Sequence, residues 1–122
     1  VTPVSSDELL QRSQGQETSA DIRERVMRAR ELQRLRYEQL QDIHSNAMIG
    51  SNRIHEFCEV SSAGMTLLKT AMNKLQLSAR AYDRILKVAR TIADLAGTED
   101  IRIEHLAEAI HYRSLDREGW AG

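Results

Sequence analysis

The chain has 122 residues, which is enough for one domain with its own hydrophobic core. Seventeen basic and 18 acidic residues leave a net charge of −1, so composition excludes a global electrostatic attraction to nucleic acid or to a membrane surface. A single cysteine excludes an internal disulfide and favours a reducing compartment. One phenylalanine, one tryptophan and three tyrosines are few for a β-rich fold. We therefore expect an all-α protein of the cytoplasm, without a membrane-spanning segment.

The first 18 residues are predicted to be the end of an upstream domain followed by a linker. The opening "VTPV" is a short extended stretch with no partner strand visible downstream. A lone strand cannot satisfy its own backbone groups, so we interpret it as the last strand of a domain that precedes the chain. The polar stretch "QGQET" around Gly15 is typical of a hinge.

Residues 19–117 are predicted to form a small bundle of about five helices with a long first helix. That helix is predicted over "TSADIRERVMRARELQRLRYEQLQDIHSN", with Ser19 as its N-cap. Its apolar positions recur at roughly helical spacing, at Ile22, Val26, Ala29, Leu32, Leu35, Leu40 and Ile43. Gly50 and Asn52 mark a turn, and "NRIHEFCEV" is predicted to be a short helix or bend.

Three further helices are predicted in the second half of the chain. A serine caps "SSAGMTLLKTAMNKLQ", and Ser78 caps "LSARAYDRILKVARTIADLAG", which Gly97 ends in the manner of a C′ glycine. The last helix, "IRIEHLAEAIHYRSLDR", is predicted to bury Ile103, Leu106, Ala107 and Ile110. Residues 118–122 are predicted to be a flexible tail, with Trp120 a loose end or a docking contact.

Motifs of self-contained enzymes do not occur in the sequence. There is no "GxxxxGK[ST]", "GxGxxG", "HExxH" or "GxSxG". No histidine has a second one at i+4, so no metal site is expected among His44, His55, His105 and His111. Cys58 has no paired cysteine and no neighbouring cation in "FCEV", which favours inert core packing. The chain by itself is therefore not expected to be an enzyme.

Arg80 is the first candidate for a functional residue, because it stands in the first turn of a predicted helix. A cation there meets the positive end of the helix dipole, whereas an anion is attracted by the free backbone N–H groups. A guanidinium at this position suits a phosphate. The structural alternative is an exposed arginine paired with Asp83 or with nothing. Arg84 and Lys87 continue the same face by one and two turns and could extend a phosphate site or be solvated.

A second candidate is the arginine-rich stretch "DIRERVMRARELQRLR". At about 100° per residue, one helical face holds Arg23, Arg30 and Arg34, whereas Arg25 and Arg36 lie elsewhere. This spread argues against a continuous stripe for phosphates. Interspersed acidic residues indicate that much of the charge is solvated or paired internally, at Glu24, Glu31 and Glu38. A basic face for DNA or for a neighbouring subunit, to which Lys87 would also contribute, remains open.

The order of three segments, "IRERVMRAR", "SARAYDRILKVARTIADL" and "HLAEAIHYRSLDR", resembles a known family. "ETSADIRERVMRARELQRLR" is similar to the start of the lid domain in magnesium-chelatase-like AAA+ ATPases, and "LSARAYDRILKVARTIADLAGTEDIRIEHLAEAIHYRSLDR" resembles the C-terminal region of the ComM/YifB type. The resemblance covers residues 4–117. It implies that Arg80, within "SAR", is the sensor-2 arginine that reaches the γ-phosphate of ATP, and that the α/β domain with its phosphate loop lies upstream.

The resemblance also implies what surrounds the chain. ATP and Mg²⁺ would be held in the complete protein, and no cofactor is expected in this chain alone. Its partners would be its own upstream ATPase domain, neighbouring subunits of a ring, expected to be a hexamer, and DNA, on which relatives act as helicase-type branch-migration motors in natural transformation. Two alternatives remain: the lid of a metal-chelatase motor subunit, and a non-enzymatic helical adaptor that binds DNA or protein.

Overall fold

The fold is an all-α bundle, seen in a computed structural model that describes residues 17–121 and the side chains of residues 17–113. Predictions for residues 1–16 and for the Trp120 side chain lie outside this part of the chain. Within residues 17–121 there are five α-helices, α1 (Ser19–Arg36), α2 (Ile54–Phe57), α3 (Ser62–Leu75), α4 (Ala79–Ala96) and α5 (Ile103–Ala121). Two 3-10 turns, Asn46–Met48 and Ser51–Arg53, lie between α1 and α2. The predicted fold class is confirmed, whereas the division at residues 18 and 117 stays a prediction.

The predicted caps of α3 and α4 are confirmed. The Ser61 side chain accepts a hydrogen bond from the Gly64 amide at 3.1 Å, and the Ser78 side chain accepts one from the Ala81 amide at 3.2 Å. Gly97 ends α4 in the left-handed region with φ 74°, which glycine adopts without a Cβ penalty. These local signals fix both ends of α4.

The predicted ends of α1 are wrong at both termini. Thr18, not Ser19, is the N-cap: its hydroxyl accepts from the Asp21 amide, and the Asp21 carboxylate accepts from the Thr18 amide, both at 3.1 Å. The helix ends at Arg36 and not near Asn46. The cause is tertiary, because the Tyr37 ring is only 2% exposed and its hydroxyl donates to Asn46 Oδ1 at 2.6 Å.

The apolar stripe predicted for α1 is also narrower than expected. Ala29 is the buried residue of this helix, whereas Ile22, Leu32 and Leu35 are exposed. Leu40 and Ile43 do join the core, but from the irregular segment after the helix. The α1 helix therefore lies on the bundle along one narrow side, and much of its apolar surface faces outward.

The core is built around α4, which packs against both α1 and α5, and α3 packs against α5. Buried side chains come from the helices and from the segments between them: Tyr37, Ile43, Ile49, Ile54, Cys58, Leu68, Ile85, Leu86, Ala89, Ala93, Ile101, Leu106 and Ala109. An isolated parallel bridge joins Val60 to Ile101. Among the described residues, no helix is both long and apolar enough to cross a membrane.

The prediction for the buried face of α5 is wrong at two of its four residues, because the face is rotated by one position along the helix. Leu106 is buried and Ile110 packs against the core as expected, but Ile103 is 46% exposed and Ala107 is exposed as well. Ala109 and His105 are buried in their place. His105 Nδ1 accepts a hydrogen bond from the Arg102 amide at 2.9 Å, so this ring caps the helix start and turns inward.

Candidate functional site

The exposed side of α4 carries the strongest candidate site. Arg80 lies in the first turn, where Ser78 satisfies the Ala81 amide. The Arg80 side chain is exposed and makes no hydrogen bond or ion pair to any residue in the described part of the chain. Asp83, the expected alternative partner, instead accepts a hydrogen bond from the Ser51 hydroxyl. Arg80 is thus an unpaired cation beside a helix N-terminus.

The first turn of α4 is held firmly by its neighbours. Ala81 is 1% exposed and anchors the turn against the bundle. The Tyr82 hydroxyl donates to Met65 Sδ on α3 at 3.6 Å, and the Tyr82 ring lies 5.9 Å from the ring of His55 on α2. Arg80 therefore projects from a fixed backbone, which is what a residue that positions a ligand requires.

Arg84 and Lys87 lie on the same side of α4 as Arg80, one and two turns further on. Lys87 Nζ donates to the carbonyl of Ala47 at 3.4 Å, which holds its ammonium beside the first 3-10 turn. Both side chains line a groove of about 720 Å³, whose wall is completed by the later part of α5 through Tyr112 and Arg113. The predicted extension of the Arg80 face therefore leads into this groove.

The arginine face predicted on α1 is partly neutralised. Arg34 donates from Nε to Glu31 Oε1 at 2.9 Å and from Nη2 to Glu31 Oε2 at 2.7 Å. The bidentate pair lowers the pKa of Glu31 and raises that of Arg34 through this hydrogen bonding. Arg23 and Arg30 are exposed and have no such partner in residues 17–113. Two free cations therefore remain on this face.

Two other arginines of α1 are paired, one of them with a predicted glutamate, Glu24, and the other with Glu17 before the helix. Arg25 forms an ion pair with Glu17, and Arg28 lies 4.0 Å from Glu24. Exposed pairs of this kind contribute at most about 1 kcal/mol each, so they shape the surface more than they stabilise the fold.

A buried polar network was not predicted from the sequence. The Asp94 carboxylate, with a fully buried side chain, accepts from Arg36 Nη1 at 2.9 Å and Nη2 at 2.7 Å, and from Asn46 Nδ2 at 2.9 Å. Arg90 Nη2 is a second ion-pair partner at 3.2 Å. The hydrogen bonds that Arg36 donates to Asp94 raise the pKa of Arg36. This network joins α1, the first 3-10 turn and α4.

One signal in the sequence points to this network. Asp94 falls within the apolar stripe of α4, between Ile92, Ala93 and Ala96, where a carboxylate needs a buried partner. The identity of that partner is not visible in the sequence, because Arg36 lies 58 positions away and the helical spacing places it only off the face that holds Arg23, Arg30 and Arg34.

Cys58 is buried in the core, as predicted. Burial raises the pKa of its thiol to about 11, so the thiolate that would react is not formed near neutrality. Burial likewise raises the pKa of Tyr37. Within the described residues, no three histidine, cysteine, aspartate or glutamate side chains are grouped to hold a metal ion.

Comparison with known proteins places this geometry in a family. Residues 16–113 match the family model described as magnesium chelatase, subunit ChlI C-terminal. Because this match spans most of the chain, the chain belongs to that family and is a lid domain of the magnesium-chelatase-like type.

Particular relatives narrow the assignment to the ComM/YifB type. The chain is 46% identical over 101 residues to the competence protein ComM of Haemophilus influenzae and 44% identical over 101 residues to YifB of Escherichia coli. It is 35% identical over 97 residues to an uncharacterised protein of Mycobacterium tuberculosis. The first two alignments cover 83% of this chain and 19% of each relative, and the third covers 80% and 19%. The chain thus spans about a fifth of the length of these relatives.

Proposed function

We propose that the chain is the helical lid of an AAA+ ATPase and that Arg80 is its sensor-2 arginine. The observation that carries this proposal is an exposed guanidinium without an intramolecular partner, in the first turn of α4. An unpaired cation beside the positive end of a helix dipole is unfavourable in isolation. It becomes favourable when an anion binds, because the guanidinium and the helix N-terminus then act together.

The geometry fits a phosphate contact and not a complete nucleotide site. Arg80 offers a planar fork that matches phosphate oxygens, and Arg84 is the next cation along the same side of the helix. The described residues supply no cluster of carboxylates for Mg²⁺. When bound, ATP supplies the phosphoryl group that is transferred. Arg80 would donate hydrogen bonds to its γ-phosphate and balance the charge that spreads over the phosphoryl oxygens.

The rest of the site would come from other parts of the assembly. An upstream ATPase domain would hold the nucleotide and Mg²⁺, and neighbouring subunits would close a ring, which we propose to be a hexamer. The fixed first turn of α4 supports a rigid-body role for the lid, since Ala81 and Tyr82 tie Arg80 to the core. Movement of the lid after hydrolysis would then be transmitted through the whole bundle.

The substrate that this motor acts on is proposed to be DNA, in branch migration during natural transformation. Support comes from the similarity to a protein named for competence and from the two unpaired arginines on α1, Arg23 and Arg30. Its location would be the cytoplasm. The family description itself favours a second candidate, the lid of a metal-chelatase motor, in which DNA would not stimulate hydrolysis.

Replacement of Arg80 in the complete protein tests the nucleotide role. We expect Arg80→Ala to lower kcat/KM for ATP hydrolysis by at least about tenfold, or about 1.4 kcal/mol of transition-state stabilisation. Arg80→Lys keeps the charge but loses the bidentate fork, so it is expected to recover only part of the rate. Lys69→Ala is the matched control, because Lys69 is an exposed cation in the middle of α3, 11 positions before Arg80.

The thermal midpoint of Arg80→Ala distinguishes a loss of activity from a loss of folding. Since the Arg80 side chain is exposed and unpaired, its loss should leave the thermal midpoint unchanged. Hydrolysis by Arg80→Ala at the wild-type rate would remove Arg80 from the mechanism. Measuring the same rates with and without duplex DNA separates the DNA motor from the chelatase alternative.

A further inference from the structure

Charge is segregated along the pair formed by α4 and α5. Around the turn that joins them, four carboxylates are exposed and make no ion pair within residues 17–113: Glu99, Asp100, Glu104 and Glu108. Between residues 97 and 108, Arg102 is the only lysine or arginine in the sequence. The earlier turns of α4 carry the opposite charge, on Arg80, Arg84 and Lys87. Among the described side chains, one end of the pair is therefore mainly acidic and the other mainly basic; Asp83, which also lies in the earlier turns of α4, accepts a hydrogen bond from Ser51.

The basic end contains an apolar depression. The groove of about 720 Å³ has Ile85, Ile92 and Ala109 among its lining residues. Val88 is 39% exposed there, and Tyr112 is 56% exposed. Its cations are contributed by Arg84, Lys87 and Arg113, and no carboxylate lines it in the described part of the chain. The groove is thus apolar at its base and basic at its rim.

The acidic end carries a complementary surface of exposed apolar and acidic side chains on α5. Ile103 is 46% exposed, and Ala107 is exposed one turn later on the same face of α5. Glu104 and Glu108 run beside them with the same spacing of four residues. This surface, Ile103, Ala107, Glu104 and Glu108, is an apolar ridge bordered by carboxylates, and we call it the acidic ridge.

We propose that the acidic ridge of one copy of the chain docks into the basic groove of a second copy. The apolar residues of the ridge would cover Val88 and Tyr112, and the carboxylates would approach Arg84 and Lys87. A nucleic-acid duplex would satisfy the cations through its phosphates, but its bases are stacked inside the helix and would leave the apolar base of the groove without an apolar partner. Charge complementarity together with apolar complementarity therefore favours a second copy.

This contact would join neighbouring subunits of the proposed ring, and the inference rests on that proposed function. The ridge and the groove are different surfaces that adjoin on α5, where Glu108 precedes Tyr112 by one turn. A docked pair of copies therefore leaves one ridge and one groove free. Such a head-to-tail contact extends to a ring if the rotation closes. It assigns to the lid a direct role in holding neighbouring subunits together.

A charge-swap experiment tests the contact in the 122-residue chain. R84E/K87E makes the groove rim acidic, and E104K/E108K makes the ridge basic. Each variant alone should lose self-association, because like charges then face each other. Their mixture should associate again, since each provides the charge that the other lacks. All four positions are exposed or half-buried at the surface, and circular dichroism confirms that the fold is kept.

Amide chemical-shift titration detects the contact even when it is weak. With labelled E104K/E108K, addition of unlabelled R84E/K87E should shift resonances of residues 84–92 and 109–113. Addition of unlabelled E104K/E108K should not. Raising the salt concentration to about 1 M, where the Debye length is about 3 Å, should reduce the shifts severalfold.

The control is K69E/K74E, which makes the same change in charge on exposed positions of α3. It should self-associate like the wild type. A mixture of swapped variants that shifts no more than either variant alone would overturn the proposal, as would equal loss in K69E/K74E. No nucleotide is present, so failure here leaves the role of Arg80 intact, and failure of Arg80→Ala leaves this contact intact.

Discussion

Arg36 and Asp94 form a two-pronged ion pair between the end of α1 and the last turn of α4. Nη1 lies 2.9 Å from Oδ2 and Nη2 lies 2.7 Å from Oδ1, across 58 positions of sequence. The Asp94 side chain is fully buried, and that of Arg36 is 20% exposed. This pair fixes where α1 lies on the bundle, because little apolar surface of α1 is buried otherwise.

Asp94→Asn is expected to destabilise the chain by about 3 kcal/mol. Removing one partner of a buried ion pair leaves uncompensated charge, here on both Arg36 and Arg90. Arg36→Met should cost less, because Asp94 then keeps Arg90 and Asn46 as partners. Urea unfolding of the two variants measures this order.

Glu31→Ala provides the exposed comparison. It breaks the pair with Arg34, whose side chain is 58% exposed, and should cost less than about 1 kcal/mol. A cost of Asp94→Asn as small as that of Glu31→Ala would show that the buried network does not hold α1 in place.

The sequence predicted the helix ends that are set by residues within the helix's own first or last turn. Ser78 and Gly97 bound α4 as the sequence indicated, because a capping hydroxyl and a glycine at positive φ act within one turn. Arg80 could likewise be singled out from its position after Ser78. Whether Arg80 pairs with Asp83 could not be predicted, since Asp83 accepts a hydrogen bond from Ser51 in another segment.

Tertiary contacts set the end of α1 and the buried face of α5, which the sequence pattern did not predict. The end of α1 at Arg36 carries no glycine or proline signal, and it follows from the burial of Tyr37 and its hydrogen bond to Asn46. The inward turn of His105 follows from its bond to the Arg102 amide, and it displaces Ile103 from the core face. Periodicity alone cannot distinguish such one-residue shifts of a helix face.

Gly64→Ala is expected to destabilise the chain by about 1–3 kcal/mol. A Cβ at this position would meet Val60 Cγ1 and would lie 2.7 Å from Leu106 Cδ1, so α3 could not approach α5 as closely. The usual gain in helix propensity from Gly to Ala, about 1 kcal/mol, would be outweighed.

Ala63→Gly at the exposed neighbouring position is the control, and it should cost only about 0.5–1 kcal/mol through helix propensity. Thermal unfolding measures both variants. A midpoint of Gly64→Ala above that of the wild type would show that the α3–α5 contact tolerates a methyl group.

Stability is expected to fall as the pH rises from about 9 to 11. The folded pKa of Cys58, about 11, exceeds its ordinary value of 9.0, so the folded state holds the thiol proton longer than the unfolded state does. This contribution is fully present below pH 9.0 and is lost as the pH passes through about 11. The raised pKa values of Tyr37 and Tyr82 act in the same direction.

Urea unfolding at a series of pH values measures this dependence, with Cys58→Ala as the comparison. The variant is expected to be less stable at neutral pH, because it leaves a small cavity, but to lose less stability between pH 9 and pH 11. Identical slopes for the two proteins would show that the thiol is not the titrating group.

The DNA face proposed on α1 predicts different effects for three arginines that share it. Arg34 is already bound to Glu31, whereas Arg23 and Arg30 are unpaired in the described part of the chain. If this face contacts phosphates, R23A/R30A should lower the slope of log affinity against log salt by about 2, since each phosphate contact contributes about 0.9. R34A should change the slope little. Fluorescence anisotropy with duplex DNA at several salt concentrations measures both. An equal loss from R34A, or no salt dependence in the wild type, would exclude a phosphate contact by this face.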